Sequence, residues 1–299
     1  MTDTDLITSD RSGAAADADV PVTEKLQRLR DWFAARGRVM VAVSGGIDST
    51  FLWKVATDVL GENALGVTAV SPSLASWERD TLPGLQREVG GRHRTVSTDE
   101  LANPNYAANP VNRCYYCKDT LWETLDALAE REDFPCLVDG YNLDDVGDYR
   151  PGQDAGREHH VASPLKLAGF RKADIRAAAR DLGLSIWDKP AMACLSSRFA
   201  YGVAISGTGL ARVDSAERWL RERGFRELRV RVHADDLARL ELPVDAIEDF
   251  LPLREAFVAH MQSLGFLYVS LDLAGFRSGS MNAVLARQGQ GTDAGAAPE

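Results

Sequence analysis

A short apolar run, Val39-Met40-Val41-Ala42-Val43, breaks abruptly at Ser44-Gly45-Gly46-Ile47-Asp48-Ser49-Thr50 and re-enters an apolar stretch over Phe51–Leu60. A strand that turns directly into a helix commits this part of the chain to an α/β fold. Two adjacent glycines let the backbone turn sharply and approach a ligand where any Cβ would intrude. The amides of Gly45 to Ser49 then face outward at a helix N-terminus, whose dipole favours negative charge. Ser44, Ser49 and Thr50 add hydroxyls. The loop holds no basic side chain, and Asp48 would set a carboxylate beside any bound phosphate. A hard cation such as Mg²⁺ reconciles the two by bridging them. An ordinary strand-to-helix turn accounts for the glycines but not for Asp48 with three hydroxyls. The loop reads as a seat for a nucleoside triphosphate.

Two familiar phosphate loops are excluded: no Lys follows Gly46 at the Walker A spacing, and the G-x-G-x-x-G of dinucleotide folds is missing. The run SGGIDS resembles the signature of PP-loop ATP pyrophosphatases, which cleave ATP between the α- and β-phosphates and adenylate a carbonyl or carboxylate oxygen.

Strand and helix patterns alternate along the chain. Helix 23–36, strand 38–43, helix 49–60, strand 65–70, helix 76–89, strand 93–96, helix 116–130, strand 136–139 and helix 172–182 follow one another. This order predicts a doubly wound, mostly parallel sheet, with ligands at the carboxyl ends of its strands: Ser44, Ser71, Ser97 and Asp139. Past Gly202 the pattern changes to helix 208–223, an alternating strand 228–232, a tight turn 233–236, a strand near 237–242, helix 244–264 and strand 266–271. The expected organisation is a disordered tail over 1–20, a nucleotide-binding, adenylating domain over 21–205, a smaller α+β domain over 206–287 and a second disordered tail over 288–299.

Cysteines and arginines supply the remaining chemistry. Cys114-Tyr115-Tyr116-Cys117 opens a helix between Arg113 and Lys118, a setting that lowers thiol pKa values and suits metal ligation or redox work. No second C-x-x-C or H-x-x-H completes a zinc site by spacing. Cys194 stands in a Pro-broken, small-residue loop, followed by Arg198; a buried core thiol is the competing reading. Cys136 sits in an apolar strand and reads as inert core. Asn142 and Asp144, at the end of Val138-Asp139-Gly140-Tyr141, suit contact with nucleotide or metal, and an Asx-turn explains them equally well. Asp148, Tyr149 and Arg150, with Ser163 and Pro164, read as ordered loops on the same rim. Arg229 and Arg231 alternate along one strand and share a face. That face suits a phosphate or carboxylate, and spacing alone fits a solvated charged face as well.

Taken together, SGGIDST, NPVNRCYYCK, VDGYNLDDVGDYRPG, KPAMACLSSRFAYG, RVRVH and LDLAGFRSGSMN resemble the LarE family, the PP-loop sulfur transferases of nickel-pincer cofactor biosynthesis. The resemblance runs from about residue 23 to 282 in order. GMP and NAD synthetases share the loop but not the later segments, and no glutaminase module is visible. The resemblance implies that ATP adenylates a carboxylate of a pyridinium-3,5-dicarboxylate mononucleotide, with Mg²⁺ at Asp48. A sulfur nucleophile then displaces AMP to leave a thiocarboxylate, and the second carboxylate follows. It places Ser44, Gly45, Gly46, Asp48, Ser49, Thr50, Ser71 and Asn142 around the nucleotide. It makes Cys194 the catalytic cysteine and sets Arg198, Arg229 and Arg231 on the substrate phosphate, with Glu217 nearby. One branch of the family sacrifices the sulfur of the cysteine matching Cys194. The other has three cysteines, here Cys114, Cys117 and Cys194, which imply a 4Fe-4S cluster with one iron open for sulfide. Zinc or a persulfide relay are further options. The family also implies a homo-oligomer.

A chain of 299 residues with net charge −10 argues mildly against a long nucleic-acid partner. No run approaches a membrane span, the acidic N-terminal stretch is not expected to act as a signal peptide, and four cysteines fit a reducing cytoplasm. The rival readings are a tRNA thiolase, whose RNA-binding modules find no support in this charge, and a nucleotide sensor, which gives the three cysteines no task.

Overall fold

The computed structural model describes residues 20–146, 151–190, 193–234, 236–277 and 280–282. The expected terminal tails, apart from residue 20, and the loop residues Asp148, Tyr149 and Arg150 lie outside the described residues.

In chain order the elements are α1 (Val22–Ala34), β1 (Val39–Ala42), α2 (Ile47–Leu60), β2 (Ala64–Val70), α3 (Ser76–Val89), β3 (Arg92–Ser97), α4 (Pro104–Ala107), α5 (Arg113–Glu132), β4 (Leu137–Val138), α6 (Gly152–Glu158), α7 (Pro164–Leu167) and α8 (Lys172–Asp181). After them come α9 (Gly207–Arg221), β5 (Arg229–Val232), β6 (Leu237–Glu241), α10 (Ile247–Phe250), α11 (Arg254–Ser263) and β7 (Tyr268–Leu271). They group into two compact units. One holds the chain up to Ser71 with Glu78–Thr98 and Cys114–Met192; the other holds Pro72–Trp77, Asp99–Arg113 and the chain from Ala193 onward.

The first unit is built on a parallel sheet of order β3-β2-β1-β4. β1 is central and reads as an unbroken apolar run because both of its faces are covered. Val39 and Val41 pack with Phe51, Leu52, Val55 and Val138 on one side, and Met40 packs with Leu65, Val67, Trp122 and Leu125 on the other. The chain winds outward from β1 to β3 and then returns to place β4 on the other side of β1. That reversal opens a crevice beyond the carboxyl ends of β1 and β4, where an open α/β sheet binds its ligand. The fold is α/β of the PP-loop pyrophosphatase type, as expected.

The second unit carries a smaller sheet of order β5-β6-β7, antiparallel between β5 and β6 and parallel between β6 and β7. Leu210, Val213, Ala216 and Leu220 form the buried stripe of α9, spaced three or four residues apart as an amphipathic helix requires. The single helix expected over 244–264 is instead broken. A 3-10 turn Val244–Ala246, α10, a second 3-10 turn Leu251–Leu253 and α11 succeed one another. Pro252 stands at the second 3-10 turn, where it lacks the N–H that a continuous helix would need. Among the described residues, no helix is long and apolar enough to cross a membrane.

Candidate functional site

The loop after β1 adopts the turn its glycines suggest. Gly45 has φ +76°, a conformation open to glycine at no steric cost. Gly46 caps α2 without a side-chain hydrogen bond, so the first-turn amides of Ile47, Asp48 and Ser49 are left for a ligand. The hydroxyls of Ser44 and Ser49 lie 3.1 Å apart. Ser49 Oγ also accepts from Ser44 N at 3.1 Å, and Ser44 Oγ accepts from Gly46 N at 3.3 Å. These two serines brace the loop from within. Thr50 is fully buried, and its hydroxyl has no partner among the described residues.

Gly140, just beyond β4, explains how closely the two strand ends meet. A Cβ there would stand 2.8 Å from Ser49 N and 3.1 Å from the Asp48 carbonyl carbon. Only a residue without a side chain fits against the start of α2. Asn142 follows, fully buried, and both readings of it hold: Oδ1 accepts from Asp144 N at 3.0 Å in an Asx-turn, while Nδ2 has no partner among the described residues. Ser71 lies half-buried directly after β2.

Asp48 is the electrostatic centre of this rim. Burial pushes its carboxyl above the usual carboxylate value, and Lys172 opposes that shift by hydrogen bond and by charge. Lys172 Nζ donates to Asp48 Oδ2, whereas Oδ1 is buried with no partner among the described residues. An orphaned carboxylate oxygen beside unsatisfied amides fits a Mg²⁺-bound phosphate chain. Asp139 lies deeper; burial raises its carboxyl too, against a 2.8 Å hydrogen bond from Ser163 Oγ.

The basic groups absent from the loop arrive from distant sequence. Lys172 opens α8, whose start is pinned by Arg171 N donating to Asp174 Oδ2 at 2.9 Å and by the buried Lys25 on the same oxygen at 2.7 Å. Lys189 Nζ donates to the Gly45 carbonyl at 2.9 Å and lies 3.6 Å from Glu78. Arg176, one turn along α8, holds the carbonyls of Trp187 and Lys189 at 2.8 and 2.9 Å and so fixes the segment bearing Lys189. Asp174, three residues after Arg171, was a visible capping signal for the start of α8. Nothing local marks Lys189.

In the second unit Cys194 is half-buried and caps a short 3-10 turn, Leu195–Arg198, so it is not a core thiol. Its carbonyl accepts from Ser197 N at 3.0 Å, Ser197 Oγ at 2.8 Å and Arg198 Nη1 at 2.9 Å. Arg198 is fully buried, and so is Glu217. Nε and Nη2 of the arginine each meet a Glu217 oxygen at 2.9 Å, a bidentate pair. Nη1 also donates to the Ala193 carbonyl. The guanidinium is thus engaged in shaping the Cys194 turn.

The structure does gather the three arginines, with unequal engagement. Arg231 is held by Glu241 at 2.9 Å and donates to the Ser197 carbonyl at 3.0 Å and Ser280 Oγ at 3.1 Å. Arg229 is 7% exposed, donates to the Leu228 carbonyl at 2.7 Å and makes no ion pair among the described residues. Burial, followed by the charge of Arg198, lowers its guanidinium to about 10. Of the three, Arg229 is the one without an ion pair among the described residues; its guanidinium lies 5.1 Å from the Phe276 ring centroid.

The C-x-x-C pair lies in the first turns of α5, which begins three residues earlier than expected; Cys114 is exposed and Cys117 half-buried. Arg113 is engaged with Asn109 Oδ1 at 2.5 Å. Cys136, also half-buried, packs on the edge of the core. Among the described residues, no three His, Cys, Asp or Glu side chains are grouped to hold a metal ion. Cys114 and Cys117 belong to the first unit and Cys194 to the second.

No protein-family model matches the chain. A Synechocystis protein of unassigned activity is 47% identical over 266 residues, 88% of this chain and 98% of its own length. A Methanocaldococcus jannaschii protein, likewise without an assigned activity, is 27% identical over 81% of this chain and 91% of its own. The pyridinium-3,5-bisthiocarboxylic acid mononucleotide synthase of Lactiplantibacillus plantarum is 42% identical over 251 residues, covering 84% of this chain and 91% of the synthase. Identity over that share of both chains reaches well beyond the phosphate loop, and the chain belongs to the LarE family.

Proposed function

We propose that this protein is an ATP-dependent sulfur transferase that converts the carboxylates of a pyridinium-3,5-dicarboxylate mononucleotide to thiocarboxylates for a nickel-pincer cofactor. The observation that carries the reading is the strand-end crevice of the first unit, where the orphaned Asp48 Oδ1 and the open amides of Ile47, Asp48 and Ser49 await a metal-bound phosphate chain. The 42% identity to the named synthase supplies the substrate class.

The reaction begins when a substrate carboxylate oxygen attacks the α-phosphorus of ATP, and pyrophosphate leaves. Adenylation is needed because a carboxylate repels nucleophiles and oxide is a poor leaving group; the acyl adenylate answers both problems. Asp48 would hold Mg²⁺, which neutralises charge on the departing pyrophosphate. The first-turn amides of α2, Thr50 and Asn142 complete the nucleotide seat, with Ser44, Gly45, Gly46 and Ser49 forming its wall and Ser71 at its rim. Arg229 binds the substrate phosphate, with Arg231 beside it. Arg198 and Glu217 shape the Cys194 turn. Sulfur attacks the acyl carbon and AMP departs, and the site must exclude water from the adenylate meanwhile.

Cys194 bears the sulfur. When its thiolate is the nucleophile, the enzyme-bound thioester releases thiocarboxylate as the Cys194 α-proton is lost, leaving dehydroalanine after one turnover. The other source in this reading is sulfide from a 4Fe-4S cluster, which Cys114, Cys117 and Cys194 would hold. A homo-oligomer working in the cytoplasm belongs to the same reading.

Two measurements test it. Cys194→Ala is expected to abolish thiocarboxylate formation while pyrophosphate release continues, and Asp48→Ala to remove both. Continued pyrophosphate release by Asp48→Ala would sink the metal role. Iron and acid-labile sulfide in protein purified without oxygen, beside Cys114→Ser, then separate the sulfur sources. Stoichiometric iron lost in the variant means a cluster of Cys114, Cys117 and Cys194; no iron in either means Cys194 gives up its own sulfur.

A further inference from the structure

Lys172 is not accounted for by a loop that binds a metal through Asp48. Its ammonium occupies one oxygen of that carboxylate and leaves the other without a partner among the described residues. The lysine side chain is 35% exposed and that of Asp48 21%. Its backbone is fixed: Lys172 N donates to Asp144 Oδ2 at 2.8 Å, and Asp174 ties the start of α8 to the buried Lys25. Only the side chain is placed to change partner. Around the pair, Asp145 adds a negative field and Arg176 a positive one, so these four charges sum to zero.

We propose that Lys172 is the resident counter-ion of Asp48 and makes the loop accept a divalent cation as its nucleotide complex rather than alone. A free dication approaching Oδ1 meets one negative charge and one positive charge, and the repulsion offsets much of the attraction. The metal–triphosphate complex is anionic. The same ammonium and the open amides of α2 draw it in, and Lys172 then serves the phosphates. Metal without nucleotide is turned away, so the carboxylate is not occupied unproductively.

This inference rests on the nucleotide reading of the loop but can be tested separately from the sulfur chemistry. Mn²⁺ alone, and Mn²⁺ with α,β-methylene-ATP, would be titrated into wild type, Lys172→Met and Lys172→Arg, with free Mn²⁺ followed by electron paramagnetic resonance. Loss of one charge beside the carboxylate is expected to tighten Mn²⁺ alone about tenfold and to weaken the Mn²⁺–analogue complex by about the same factor. Lys172→Arg should stay near wild type in both arms. Lys172→Gln replaces Lys172→Met if the latter fails to fold. Equal Mn²⁺ affinity with and without the lysine, or tightening in both arms, would overturn the proposal. The opposed shifts, in a protein that never makes thiocarboxylate, would leave it standing and refute the sulfur-transfer reading instead.

Discussion

Removing Glu217 tests whether the buried arginine cluster is a brace. Its carboxylate receives Arg198 Nε and Nη2 at 2.9 Å each and Val230 N at 3.0 Å, and both charged side chains are fully excluded from water. Glu217→Ala leaves a guanidinium buried without its counter-charge, a change that costs about 3–5 kcal/mol. For a chain of this size, with roughly 2–4 °C lost per kcal/mol, the melting temperature should fall by about 6–20 °C. The double variant Arg198→Met/Glu217→Leu removes both charges with little loss of volume. It should recover part of that fall, though not all, because the carbonyls of Ala193 and Cys194 and the amide of Val230 lose partners. Thermal denaturation of Arg198→Met, Glu217→Leu and the double closes the cycle, with a coupling of at least ~1.5 kcal/mol expected. Function gives a second readout: Glu217→Ala should lose sulfur transfer while pyrophosphate release persists. A melting temperature within about 3 °C of wild type, or strict additivity in the cycle, would refute the brace.

Three further outcomes follow from other parts of the chain. Gly140→Ala should abolish nucleotide binding in a titration with Mg²⁺–ATP, because its Cβ would meet backbone at Ser49 N, 2.8 Å away, and neither chain can yield without moving the loop. Arg229→Gln should raise KM for the phosphorylated substrate by tenfold or more, consistent with loss of a charge-assisted phosphate contact, and Lys at that position should restore little of it. His159 has one ring nitrogen 2.5 Å from Asp126 and the other 3.2 Å from Asp119; burial lowers its pKa, but the two carboxylates outweigh that and raise it above 6.5. A raised folded-state pKa stabilises below pH 6.5, and that stabilisation is lost as pH climbs through the folded value. Wild type and His159→Gln should therefore differ most in melting temperature near pH 5.5 and converge in alkaline buffer.

Much of this was legible before any coordinates. The all-apolar run at 39–43 could only be a strand covered on both faces, and β1 is that strand, at the sheet's centre. The Ser-Gly-Gly-x-Asp-Ser break dictated the loop, with Gly45 at φ +76°. The spacing of Leu210, Val213, Ala216 and Leu220 gave α9 its buried stripe. Local rules missed the breaks around Pro252, where apolar periodicity continues through a residue that cannot propagate a helix. They also missed the partners of charge. No sequence pattern tells that Lys172 lies on Asp48, that Arg198 turns inward to Glu217 while Arg229 has no ion pair among the described residues, or that Pro72–Trp77 and Asp99–Arg113 join the unit of Cys194. The sequence by itself determined most of the elements, the glycine loop and the family, because periodicity, glycine placement and motif spacing act over a few residues. Only the tertiary structure decided which carboxylate each cation neutralises and which polar atoms remain for a ligand. Those outcomes depend on strand order and burial, which bring together groups more than a hundred residues apart, as with Asp48 and Lys172.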